Sequence, residues 1–212
     1  MYWQTHLLVE LFLIITKIIS HKKRINLKHM NYCEFANSLP EDTDNPNKHY
    51  HDHAYGFPIE DDNELFGRLL LEINQAGLSW TTILKKQAGF VAAYSGFEIA
   101  AVAAYTEADR ERLLADSGII RNRLKVNAAI YNAQQIMRLQ QEYGSFKNWL
   151  DAHHPLELAQ WVKLFKQHFK FVGGEIVNEF LMSTGYLPGA HVEDCPIYAK
   201  VLAAKPKWIA SC

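Results

Sequence analysis

From Asp61 onward the apolar side chains return every three or four positions, and this rhythm constrains the fold more than any other feature of the chain. Val126, Ile130, Ala133 and Met137 stand at i, i+4, i+7 and i+11. Leu158, Trp161, Val162, Phe165 and Phe169 repeat the pattern, with Lys163, Lys166 and Lys170 turned away. Such spacing lays one apolar stripe along a helix. No segment alternates with period two between hairpin signals, and no internal repeat is visible, so the expected fold class is all-α. The start and stop signals predict a helix from Asp61 to about Gln75, under an acidic first turn and ended by Gly77. Another is expected from Ser79 to Tyr94. Thr106 and Asp109 form a capping-box pattern that opens a helix ending near Gly118. Residues 36–60, rich in Asn, Asp, Pro and His, read as a loop.

With 212 residues the chain can bury a proper core. Its 49% apolar and 21% charged content excludes general disorder. A formal net charge of −1 gives no global nucleic-acid signature, so any DNA contact must come from a local patch. The three cysteines, Cys33, Cys195 and Cys212, are too few for a disulfide scaffold and suit a reducing cytoplasm or metal ligation. The first 29 residues differ from the rest. Residues 7–19 are strongly apolar, but the run is too short for a membrane span and contains Glu10 and Lys17. Its basic residues follow the apolar run, the reverse of a signal peptide. The expected division is therefore a non-core extension over 1–29, read as an upstream start, and one domain over 30–212. A peripheral membrane anchor is the alternative for the extension.

Three constellations could carry chemistry. Glu72 shares the i, i+4, i+7 stripe of Leu65 and Leu69 and lies near a helix carboxyl end, where the dipole disfavours an anion. Burial there would raise its pKa and mark a functional carboxylate. By periodicity alone the stripe's edge, with the carboxylate reaching solvent, is the slightly better reading. Trp80 follows the Gly77 break and could line the same pocket. Cys33, His51, His191 and Cys195 are zinc-type donors, His191 and Cys195 being four apart. By spacing alone, scattered polar loop residues are the better reading. The segment 118–125 (GIIRNRLK) joins two helices and carries Arg121, Arg123 and Lys125, a turn able to grip phosphate or to serve as a plain structural corner.

The segments YHDHAYGFP (50–58), LFGRLLLEINQAGLSWTTILKK (65–86), LLADSGIIRNRLK (113–125), KFVGGEI (170–176) and HVEDC (191–195) together resemble the DNA-3-methyladenine glycosylase I family of the helix-hairpin-helix superfamily. The resemblance runs from about Cys33 to Tyr198. It implies a helical glycosylase domain in which one structural zinc, held by Cys33, His51, His191 and Cys195, joins the amino- and carboxyl-terminal segments. It implies that the flipped base stacks on Trp80, meets Tyr50 and is hydrogen-bonded by Glu72, the leading acidic group, with Tyr55 and Phe35 nearby. Arg121, Arg123 and Lys125 would contact DNA.

The implied activity is monofunctional hydrolysis of the N-glycosidic bond of alkylated purines, chiefly 3-methyladenine, in double-stranded DNA. The implied setting is a bacterial cytoplasm, with the chain acting as a monomer and no membrane partner. Several positions depart from the family pattern: Ala54 and Tyr55 where Glu-Trp is usual, Phe35 for tryptophan, Leu124 for the hairpin glycine, and Glu175 and Glu179 in GGEIVNEFLMSTG. These leave lesion preference open, with a non-catalytic binder of alkylated DNA or a zinc-stapled interaction domain as rivals.

Overall fold

A computed structural model describes residues 30–41 and 44–211, which divide into two units at Thr43/Asp44. The extension over 1–29 and Cys212 lie outside the described residues. In the amino-terminal unit one helix is described, α1 (Tyr32–Asn37). Asn31 and Glu34 close it reciprocally: Asn31 Oδ1 accepts from the Glu34 amide and Glu34 Oε2 from the Asn31 amide, each at 2.9 Å.

The second unit is a helical assembly with no strand among its described residues. Its helices are α2 (Pro46–His53), α3 (Asp62–Gln75), α4 (Trp80–Lys85), α5 (Gln87–Ala93), α6 (Ile99–Ala103), α7 (Glu107–Ala115), α8 (Arg123–Tyr143), α9 (Phe146–His153), α10 (Leu158–His168), α11 (Gly174–Ser183) and α12 (Tyr198–Ala203). No helix among the described residues is long and apolar enough to cross a membrane. Helix α2 lies in the stretch expected to be loop. Its signal was local: Asn45 caps the Asn47 amide and Pro46 takes the first position, where its missing N–H costs nothing. The single helix expected over 79–94 is broken at Lys86. There Lys86 Nζ reaches Ser117 O at 2.8 Å, and Gly89 packs so tightly on the Gly118 carbonyl that a Cβ would lie 2.5 Å from it. Tertiary docking overrides local propensity at this point. The Thr106–Asp109 box opens α7 as expected, and the helix stops at Ala115.

Helix α3 is the axis of the fold. Every residue from Leu65 to Asn74 is buried, because α4, α6, α8, α9 and α11 all pack on it. Both of its ends are pinned by side chains. Asp62, in its first turn, accepts from the Phe146 and Lys147 amides and from Gln140 Nε2, so it caps α9. At the other end Lys125 Nζ donates to Asn74 O and Ala76 O, 2.8 Å each, and supplies positive charge where the dipole favours it. Beside α3 an aromatic core gathers Phe146, Trp149, Phe165 and Phe180, all fully buried. The stripe expected on α10 is observed at Trp161 and Phe165, whereas Leu158 at the helix start is exposed.

Candidate active site

Glu72 faces inward, 4% exposed. A helix buried on every side offers no edge from which a carboxylate could reach water, which decides the alternative that periodicity left open. Burial pushes its pKa up to about 8; Arg68, one turn earlier, opposes the shift, and Glu179 of α11 adds to it. Arg68 is buried too, and sequence reasoning missed it. The available signal was a cation four residues before an anion inside an otherwise apolar run. Its Nη1 donates to Tyr50 Oη and to Ser183 O, both at 3.1 Å, and its guanidinium carbon lies 4.9 Å from the Tyr50 ring centroid.

Three rings stand in series beside these charges. The Tyr50 centroid is 5.0 Å from that of Trp80 and 5.6 Å from that of Tyr55. The Tyr55 hydroxyl donates to Glu179 Oε2 at 3.2 Å. Burial and the Glu179 charge hold the Tyr55 phenol far above its ordinary pKa, so it stays protonated as a donor. Glu179 itself is half-buried, and desolvation raises its pKa. Tyr50, Arg68, Leu71 and Trp80 line a cavity of about 340 Å³ that is open to solvent, with the exposed Asp44 and His49 also on its wall. Trp80 Nε1 is buried without an acceptor among the described residues. Phe35 lies on α1 in the other unit, half-buried, its ring centroid 6.4 Å from that of Tyr32.

On the far side of Tyr55 the unit gathers His51, His191 and Cys195, all buried, with ligand atoms within 4.8 Å of one another. Cys195 Sγ lies 3.5 Å from His51 Nε2 and 3.5 Å from His191 Nδ1. The other nitrogen of each imidazole is held from behind. His51 Nδ1 is 2.7 Å from Asp52 Oδ1, and Asp52 is paired with Lys48; His191 Nε2 is 2.8 Å from Tyr55 O. Orienting both rings so that one nitrogen of each meets a thiol is what a zinc site demands. Two imidazoles and a thiolate, with outer partners present, fit that ion. Cys33 is buried in the amino-terminal unit.

The hairpin differs from expectation in one respect. Arg121 and Arg123 are exposed, Arg123 pairing loosely with Glu107 at 3.7 Å. Lys125 is 4% exposed with its ammonium on the carbonyls of Asn74, in α3, and Ala76, just past it, so its side chain serves as a helix cap and not as a free surface cation. Asn122 Oδ1 accepts from the Leu124 and Lys125 amides, and Leu124 stands 67% exposed at the tip.

Comparison with known proteins places these features in context. The family model for methyladenine glycosylase matches residues 41–161. DNA-3-methyladenine glycosylase 1 of Escherichia coli K12 is 36% identical over 168 residues, 70% of this chain and 89% of the relative. DNA-3-methyladenine glycosylase of Haemophilus influenzae is 31% identical over 166 residues, covering 69% and 89%. Among solved structures, 3-methyladenine DNA glycosylase I of Staphylococcus aureus, determined to explain 3-methyladenine recognition, superimposes with a TM-score of 0.68. That match has 35% identity over 79% of this chain and 96% of that one. A tyrosine-to-phenylalanine variant of 3-methyladenine DNA glycosylase I in complex with 3-methyladenine gives 0.68, with 34% identity over 79% and 97%.

Proposed function

Because this chain belongs to the methyladenine glycosylase family, we propose that it excises 3-methyladenine from DNA by hydrolysing the bond between the base and its sugar. The observation that carries the reading is the buried carboxylate of Glu72, next on α3 to Leu71, which with Arg68, Tyr50 and Trp80 lines a cavity. The substrate is duplex DNA, and the damaged nucleotide leaves the stack at a cost of a few kcal/mol, less than for an intact base. Methylation at N3 makes adenine a cation. The faces of Trp80 and Tyr50 attract it by about 0.5–2 kcal/mol, and Glu72, shielded from water, favours it over neutral adenine. Trp80 Nε1 has a donor to offer a bound base.

The cationic base needs no proton to leave. The C1′–N9 bond breaks with its electron pair going to N9, neutral 3-methyladenine departs, and water oxygen bonds to C1′ as it loses a proton to solvent. An abasic site remains on an uncut strand. Monofunctional chemistry is supported by the engagement of Lys125, whose amine is committed to two carbonyls and is not free to attack C1′. Arg121 and Arg123 hold phosphates at the hairpin. Cys33 joins His51, His191 and Cys195 around one zinc, which would tie the amino-terminal helix to the carboxyl-terminal segment and has no part in the chemistry. The protein works as a cytoplasmic monomer.

The test is chromatography of bases freed from methylated duplex DNA. Release of 3-methyladenine with an intact phosphodiester backbone is expected. Tight binding of the methylated duplex with no free base would overturn the enzyme reading in favour of a lesion binder.

A further inference from the structure

Arg68 is the wrong charge for a cationic base. It lines the cavity wall and also offsets Glu72, one turn away on the same helix. With only these two groups the site would be neutral and would gain little from a positive ligand. Helix α11 answers with a stripe of its own. Ser183 O docks the Arg68 guanidinium, and Glu179, one turn before Ser183, places its carboxylate on the Tyr55 hydroxyl. The ring series is thus anchored by opposite charges, Tyr50 by Arg68 and Tyr55 by Glu179, with Glu72 within electrostatic reach of both. Once Glu72 is ionised, above about pH 8, Arg68, Glu72 and Glu179 together carry one net negative charge, which a cationic purine neutralises.

Resting on the glycosylase reading above, we propose that Glu179 is a specificity-determining residue whose negative charge offsets Arg68, so that the pocket accepts a cationic alkylated purine and rejects a neutral one. Glu72 is buried and Glu179 half-buried, so their charges act on the cavity with less screening than surface charges would. Arg68 and Glu179 are therefore a compensating pair. Removing Glu179 alone leaves a neutral pocket; removing both charges returns the net charge to that of Glu72.

The experiment is a double-mutant cycle on single-turnover release of 3-methyladenine from methylated duplex DNA, using the full chain. Glu179→Gln keeps an acceptor for the Tyr55 hydroxyl and deletes only the charge. Compared above pH 8, where Glu72 is ionised, its rate should fall about tenfold or more, whereas Arg68→Met/Glu179→Gln should recover to within about threefold of wild type. Glu179→Asp retains the charge and should keep most of the rate, which holds the test open should the glutamine variant fold poorly. The rise of rate with pH reports ionisation of Glu72, which faces Arg68 on its own helix and Glu179 on α11; Glu179 in turn faces Tyr55 and Glu175. With Glu179→Gln the rise should move to lower pH, a change that a purely structural role would not produce. Wild-type speed in Glu179→Gln, a double variant no faster than the product of the single effects, or Glu179→Asp as slow as Glu179→Gln would each overturn the proposal. In all three cases the wild type would still release base. A wild type that releases nothing would remove the glycosylase reading and this inference together.

Discussion

Glu72→Gln should make the protein more stable at neutral pH while removing its activity. A carboxyl that ionises at about 8 in the folded chain, against an ordinary 4.5, binds its proton more tightly folded than unfolded. Its contribution to stability is complete below pH 4.5 and is lost as pH rises toward the folded value. Between pH 5.5 and 8 that loss amounts to about 3 kcal/mol, and at pH 7 the burial of Glu72 costs about 3 kcal/mol relative to acid conditions. Glutamine carries no such charge, so the stability advantage of the variant should be about 3 kcal/mol larger at pH 8 than at pH 5.5. Urea denaturation of both proteins at the two pH values reads the difference. Other groups titrate as well. Glu179 shares the sign of Glu72, and His154, His168 and His191, all lowered by burial, act in the opposite sense. All of them are present in both proteins and cancel in the comparison. Parallel pH dependences in wild type and variant would refute the reasoning, because they would mean that the Glu72 charge meets solvent.

Trp80→Ala should weaken binding of a duplex carrying the lesion by about 1–3 kcal/mol, measured by fluorescence anisotropy, since one stacking face is lost. Metal analysis should find one zinc per chain, and removing it with a chelator, or replacing Cys195 by Ser, should lower the melting temperature by about 10 °C or more. Lys125→Met should lose about 2 kcal/mol of stability through the two carbonyls it leaves uncapped, read by chemical denaturation; a surface phosphate ligand would show no such loss. Starting the chain at Met30 removes five basic residues and one acidic, leaving 17 and 22 for a formal −5, and should leave melting temperature and base release unchanged.

What the sequence revealed of this site follows from how far each signal reaches along the chain. Helical rhythm is local, and it located α3, α8 and α10; the capping box at Thr106 and the stop at Gly77 are contained in a few residues and were equally legible. Helix α2 was hidden because His, Asn and Asp crowd a segment whose cap, Asn45 before Pro46, has to be weighed against a loop-like composition. Glu72 shows the limit of periodicity. A stripe says which side of a helix is apolar, but whether a charged residue beside it can escape depends on how many neighbours surround the helix, and five helices pack on α3. Lys125 shows the same limit from the other side. A lysine in a basic hairpin reads as a surface cation, yet its partners, Asn74 and Ala76, lie about fifty residues earlier, and only the crossing of α8 over the end of α3 brings them together. That contact joins the two parts of the candidate site. The hairpin that would hold phosphate is anchored by Lys125 to the turn leading from Glu72 to Trp80, so a strand gripped at Arg121 and Arg123 stands in fixed register with the cavity that would receive its base.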